Sequence, residues 1–254
     1  MDTKRLGQAR TKRLLIVLGM AFGLTALAMT IWSAVEQVDA ASVIGRWAEA
    51  MGGADKIAAV RGLRLEVVYA DHDQQPVVHE IRRPHQIRTE RAGDYISIFD
   101  GERGGFLQYD KSKPDQPPVV RAVPPEAVAG FETDLVWFVP SFLDFPAEYA
   151  GVVEVDGAAC HKLVATLPLG NRVEYLIDAR TFLIKTVALS ETFKGQTFRM
   201  EREWLDLKPV QGILFPTRMT YPGRGNKTAT AEIRKVEINP GLGDERFQVP
   251  VPVK

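Results

Sequence analysis

Histidine and cysteine are the side chains best suited to proton transfer, nucleophilic attack or metal binding near neutral pH. This sequence holds four histidines, His72, His79, His85 and His161, and one cysteine, Cys160. His79 and His85 fall on neighbouring predicted strands close to Asp71 and Asp73, a donor set that would suit a divalent metal. Their spacing matches no ligand motif, and the competing expectation is polar side chains on the wet face of a hairpin. Cys160 and His161 are adjacent in a strand, so their side chains leave on opposite faces and cannot act on one another as nucleophile and base. Cys160 is expected as a small core residue. The carboxylates of Glu201-Arg202-Glu203 alternate with Phe198, Met200 and Trp204, as a solvated strand face requires. There is no G-x-S-x-G, no H-E-x-x-H and no phosphate-binding or dinucleotide glycine pattern. The expectation is a protein with no catalytic residue, no bound metal and no cofactor.

The elements that carry these residues are mostly strands. Leu63, Leu65, Val67 and Tyr69 alternate with Arg64 and Glu66, the period-two pattern of a strand with one buried face. Similar runs follow at 77–82, 86–91, 95–99 and 104–109, and again at 151–155, 162–167, 172–177, 183–189, 198–207, 213–221 and 228–238. Turn chemistry such as Ala92-Gly93-Asp94, Asp100-Gly101, Asp156-Gly157 and Gln211-Gly212 separates them, which predicts an antiparallel meander. In the last run Ala229, Ala231 and Ile233 share one phase and Val236 and Ile238 the other, the mark of a β-bulge that helps a sheet curl. Ahead of the strands, Ser42 as cap and Val43, Trp47 and Met51 at four-residue steps predict an amphipathic helix ended by Gly52-Gly53, with a second short turn over 54–60. Between the two strand groups, Pro124-Pro125-Glu126 opens the most apolar stretch after the leader, which includes Phe131, Leu135, Trp137, Phe138, Phe142, Leu143 and Phe145. Its prolines predict two short helical pieces hinged at Pro140.

The first forty residues are a different material. Lys4, Arg5, Arg10, Lys12 and Arg13 precede an uncharged run of 21 residues, Leu14–Ala34, and then small residues at Val38-Asp39-Ala40-Ala41. This is the layout of a secretory signal cleaved after Ala40, and its length also suits an N-terminal membrane anchor over 14–34. Either way the remainder, 41–254, is placed outside the cytoplasm, in the periplasm, as one domain. The 32 basic and 32 acidic residues of the whole chain become 27 and 29 without that leader. A charge so near zero argues against nucleic acid as a partner. With a single cysteine no internal disulfide can form.

Arg82-Arg83-Pro84 at a strand end, Phe99-Asp100-Gly101 leading to Phe106, and Phe247-x-x-Pro250 near the end, in this order after an export signal and one helix, resemble the periplasmic carriers of the LolA/LolB-like superfamily. The resemblance is nearest to the group described as outer-membrane lipoprotein-sorting protein-like. It implies a mainly β fold, a half-open antiparallel β-barrel with a helical lid, around an apolar cavity for the acyl chains of a lipid or lipoprotein. It also implies that Arg83 hydrogen-bonds to the lid and holds the empty cavity shut. On that basis Leu65 and Val67 on the sheet and Trp137, Phe138, Phe142 and Phe145 in the lid are the expected ligand contacts, the alternative being that these side chains plug the sheet as an ordinary core. The expected function is a non-catalytic carrier or acceptor in outer-membrane lipoprotein sorting, with an inner- or outer-membrane protein as partner. The competing function is a membrane-tethered interaction domain or envelope-stress sensor of the same fold.

Overall fold

Short strands joined by tight turns pair most readily with their sequence neighbours, and this chain does so throughout. The computed structural model describes residues 38–71, 74–223, 225 and 227–251; the proposed signal or anchor segment over 14–34 lies outside them. Thirteen strands make one antiparallel sheet. The first group is β1 (Gly62–Tyr69), β2 (Val77–Arg82), β3 (Gln86–Arg91), β4 (Tyr95–Phe99), β5 (Gly104–Gln108) and β6 (Val119–Ala122). The second is β7 (Ala147–Val155), β8 (Ala158–Thr166), β9 (Arg172–Asp178), β10 (Ile184–Phe193), β11 (Gln196–Val210), β12 (Ile213–Pro222) and β13 (Thr228–Ile238). The two meanders are joined where β1 pairs with β13, in the order β6-β5-β4-β3-β2-β1-β13-β12-β11-β10-β9-β8-β7. Edge strands β6 and β7 do not pair with each other, so the barrel is half open.

The bulge expected from the phase slip in β13 is present. Glu66 pairs with Lys235 but Val67 with Ile233, leaving Arg234 as the extra residue. Two helices precede the sheet, α1 (Ala40–Ala50) and α2 (Ala54–Ala59). The cap of α1 is Asp39 rather than Ser42: the Asp39 carboxylate accepts from the Ser42 N–H at 2.8 Å, and the Ser42 hydroxyl receives the Asp39 N–H at 3.1 Å. This is the reciprocal box in which the cap and the third helical residue satisfy each other's backbone. Val43, Trp47 and Met51 line the buried face of α1, as their spacing predicts.

The chain leaves the edge strand β6, crosses the concave face as a cover, and re-enters at the opposite edge strand β7. The cover comprises a 3₁₀ turn over Pro125–Phe131, α3 (Glu132–Val136) and a second 3₁₀ turn over Ser141–Leu143, with the break at Pro140. Val136, Trp137, Phe138 and Phe142 are buried and join Leu65, Val67, Ile81, Phe99, Leu163, Tyr175, Val187 and Trp204 in one apolar core. Cys160 is fully buried but stands outside that core, on the other face of β8 from Leu163. The expectation of a core cysteine is thus met in burial and not in place.

Close docking of the end of α1 onto the start of β12 fixes one backbone position. The Leu214 N–H donates to the Met51 carbonyl at 2.8 Å. Gly52 sits there at φ +128°, where an added Cβ would overlap the Gly212 carbonyl oxygen. Gly52→Ala is expected to lower unfolding stability by about 2 kcal/mol or more, from the strained backbone and the collision together. Urea unfolding monitored by far-UV circular dichroism measures it.

Candidate functional site: the cover and the concave face

The cover is held by apolar rings along its length and by polar tethers at intervals. At its start Glu132, fully buried, receives the Leu169 N–H at 2.9 Å and the Asn171 side-chain amide at 2.8 Å. His85 Nε2 lies 2.8 Å from Glu132 Oε1, at ion-pair distance but without hydrogen-bond alignment. The Asn171 amide also donates to the Ala129 carbonyl at 2.7 Å. A buried carboxylate is costly to leave unpaired, and the β8–β9 turn supplies the donors that make it tolerable here. In mid-cover the indole N–H of Trp204 donates to the Trp137 carbonyl at 3.1 Å. The Tyr175 hydroxyl receives the Ser141 N–H at 2.7 Å and shares a hydrogen with the Ser141 hydroxyl at 2.9 Å.

Arg83 makes the tether at the far end. Its Nε and Nη2 donate to the two carboxylate oxygens of Asp144, both at 2.8 Å. Nη2 also reaches the Leu143 carbonyl at 3.3 Å, while Nη1 donates to the carbonyls of Val60 at 2.7 Å and Ile57 at 3.4 Å. One guanidinium therefore joins three pieces: the β2–β3 turn, the end of α2 and the last turn of the cover. The planar fork with five N–H donors allows this, and lysine could not reproduce it. Arg82 points the other way, toward Asp244 and Gln86.

The expected ligand residues come together in one core, with Phe145 at its edge. Leu65 and Val67 lie in the core on β1, with Trp137, Phe138 and Phe142 packed into the same core. Phe142 meets Trp47 and Tyr175 edge-on at 4.9 and 4.8 Å between centroids, and Phe138 tilts against His79 at 4.7 Å. Phe145 is only partly buried and sits edge-on to His85. The apolar space that remains among them is small. An apolar cavity of about 40 Å³ is bounded by Trp47, Met51, Arg83, Phe138, Val139 and Trp204 among others, and a second of about 10 Å³ by Arg83, His85, Leu135 and Phe145 among others. Cavities of roughly 150 Å³ hold a single benzene. Around Trp137, Phe138 and Phe142 the hollow is thus filled by the cover's own aromatic groups, and Arg83 borders both of the apolar voids that are left.

His79 and His85 are buried, against the expectation of a wet hairpin face. On β2 the phase that faces the core is Val77, His79 and Ile81. His79 is bonded through both ring nitrogens, Nε2 with the Tyr69 hydroxyl at 3.2 Å and Nδ1 with the Thr89 hydroxyl at 3.1 Å. Burial pushes its pKa down to about 3, and the nearby Arg202 charge adds to the effect. His161, on the core side of β8, bonds the Tyr149 hydroxyl and stacks on Phe182. His72 and Asp73 lie outside the described residues. Among the described residues no three His, Cys, Asp or Glu side chains come together as a metal-ligand group. Glu132, Tyr175, Trp204 and Arg202 are the residues of this region that sequence reasoning missed. Arg202 shares the phase of Met200 and Trp204, which was a readable signal.

No protein-family model and no curated protein matches the sequence. Among solved structures the chain is similar to a DUF1329 family protein from Desulfovibrio piger, with a TM-score of 0.49 and 15% identity over 81% of this chain and 96% of that one. It is also similar to a LolA superfamily protein from Nitrosomonas europaea, with a TM-score of 0.47 and 12% identity over 83% of this chain and 98% of that one. An unclosed antiparallel sheet under a helical cover is the architecture that the LolA/LolB-like resemblance implies. The chain has that architecture. Likeness at this level concerns the path of the backbone and says nothing of individual side chains, whose roles rest on the geometry above. Among the described residues no helix is long and apolar enough to cross a membrane.

The depressed His79 pKa has a consequence for stability. Between about pH 6.5 and 3 the unfolded chain protonates this histidine while the folded chain does not, so stability falls as pH is lowered through that window. In His79→Gln the slope of unfolding free energy against pH over the same window should be shallower by about one proton, read from urea titrations at each pH.

Proposed function

We propose that this chain binds acyl chains of a lipid or lipoprotein in the cell envelope, taking them between the sheet and the cover. It would act as a carrier or acceptor and perform no catalytic step. The exported setting comes from the basic and apolar leader of the sequence. The observation that carries the reading is the Arg83 clasp. A single side chain ties the end of the cover to the β2–β3 turn and to α2, so its release frees the cover's last turn, next to the aromatic rings that fill the hollow. Arg83 is then a latch, Trp137, Phe138 and Phe142 are placeholders for the guest, and Leu65 and Val67 belong to the wall it would touch. Phe145 flanks the latch.

Magnitudes choose among possible guests. Lifting Trp137, Phe138 and Phe142 from the core costs roughly 5–9 kcal/mol at about 1.5–3 kcal/mol for each buried side chain. A guest regains about 0.8 kcal/mol for each methylene it buries, so roughly 6 to 11 methylenes are needed to offset the opening. Short acids cannot meet this and long acyl chains can. Hydrophobic contact discriminates weakly beyond length, so chains of similar length should bind alike.

Titration of saturated fatty acids from six to sixteen carbons, followed by native mass spectrometry and calorimetry, tests the reading. Binding is expected to appear near ten carbons and to tighten up to sixteen. Arg83→Leu is expected to take up the longest acid faster, and to unfold with a loss of about 3 kcal/mol because Asp144 is left unpaired. Phe138→Asp is expected to keep the sheet and lose uptake. If no chain of any length binds to the wild type or to Arg83→Leu, the reading fails and a β scaffold for docking another protein is what remains.

A further inference from the structure

Apart from the 40 Å³ void, a polar pocket of about 450 Å³ lies between the sheet and Asp134 of the cover. Tyr69, His79, Thr89, Tyr95, Asp134 and Arg202 contribute to its wall. Phe138 bounds the apolar void, and its ring packs on His79 of the polar pocket, so this one side chain links the two walls. Arg202 is the unusual member. Its guanidinium lies over the Trp137 ring, 4.5 Å from the centroid, and its Nε and Nη1 are buried without a hydrogen-bond partner among the described residues. Arg202 is partly buried, but buried N–H groups left unpaired are costly, and an aromatic face compensates only part of the loss.

The other charges of the pocket have commitments of their own. Asp71 takes the Tyr221 hydroxyl, and Arg91 stands 3.4 Å from Asp94. Asp134, on α3, comes within ion-pair distance of no basic side chain among the described residues, and burial holds its carboxyl above the ordinary carboxylate range in spite of Arg202. His79 is kept neutral and already bonded on both nitrogens. The Tyr69 hydroxyl and the Asp134 carboxyl both act on Arg202, yet its buried Nε and Nη1 still lack an acceptor among the described residues.

We infer that the polar pocket takes the anionic head of an amphiphile, a carboxylate or a phosphate, and that Arg202 is the residue that selects it. The inference rests on the acyl-binding reading and adds the head to the tail. Trp137 and Phe138 are neighbours on the cover, so the movement that admits a tail past Phe138 also lifts the Trp137 ring from Arg202. The N–H groups thus uncovered are then met by the head's oxygens, and charge-assisted hydrogen bonds replace the contact with the ring. Head and tail binding are coupled through two adjacent side chains.

Myristate and 1-myristoylglycerol share a chain and differ in the charge of the head. Calorimetric titration of both into wild type, Arg202→Gln and Arg202→Lys separates the inference from the reading beneath it. Wild type is expected to bind myristate more tightly than the glyceride by roughly tenfold or more. Arg202→Gln is expected to lose most of that ratio by weakening myristate while binding the glyceride as before, and Arg202→Lys to keep part of it. Equal binding of both ligands by wild type, or an unchanged ratio in Arg202→Gln, overturns the role of Arg202 and leaves acyl binding intact. Binding of neither ligand by wild type overturns both. Should Arg202→Gln not fold, the wild-type ratio and the lysine variant still decide.

Discussion

An antiparallel sheet that does not close leaves its concave face in want of a cover, and that constraint governs the rest of this molecule. β6 and β7 are the unpaired edges, and the segment between them in the chain is the one that crosses the hollow. Leu65, Val67, Leu163, Tyr175 and Val187 would otherwise stand in water. Phe138 and Phe142 meet them from the cover, and Trp47 from α1. The two apolar voids that remain total far less than the volume of any lipid tail, so a tail cannot share that part of the hollow with the cover's aromatic rings. On the proposed function, a guest would have to displace side chains of the cover, and the energetics of the cover would set the energetics of binding.

Polar tethers give the cover a defined position that apolar burial alone would not. Glu132 fixes its start against the β8–β9 turn, Trp204 and Tyr175 fix its middle, and Arg83 fixes its end. Their contributions differ in kind. The Trp204 and Tyr175 bonds are neutral and worth about 1 kcal/mol each, whereas Glu132 and the Arg83–Asp144 pair are buried charges that cost several kcal/mol when one partner is lost. The cover is therefore strongly fixed at both ends and lightly fixed at the centre, where the aromatic rings are. That distribution favours a hinged movement near Pro140 over wholesale detachment.

Much of the sheet was legible because its turns carry their own chemistry. Asp100-Gly101, Asp156-Gly157 and Gln211-Gly212 mark strand ends within a residue or two, and the bulge at Arg234 was visible as a change of phase. β6 was missed because Val119-Val120-Arg121-Ala122 is too short to show alternation and follows a proline-rich loop. The histidines were misplaced for a different reason. Both faces of β2 carry polar residues, and only the shared phase of Val77, His79 and Ile81 tells which side is inside. Glu132 could not be read at all: a carboxylate in an apolar run is buried only if distant donors meet it, and Asn171 is far away in sequence. The clasp of Arg83 on Asp144 is likewise a long-range pairing. Arg83 was singled out through a family resemblance, and its partner was not.

Whether the cover opens as a unit while the sheet stays folded is the point on which the account turns. Native-state hydrogen exchange of the backbone amides, followed by mass spectrometry across increasing urea, measures it directly. The account predicts that amides of 132–145 exchange through a sub-global opening at lower free energy than those of β9 and β10, and that bound palmitate changes the cover's exchange and not the sheet's. Exchange of the cover only together with global unfolding of the sheet would contradict it.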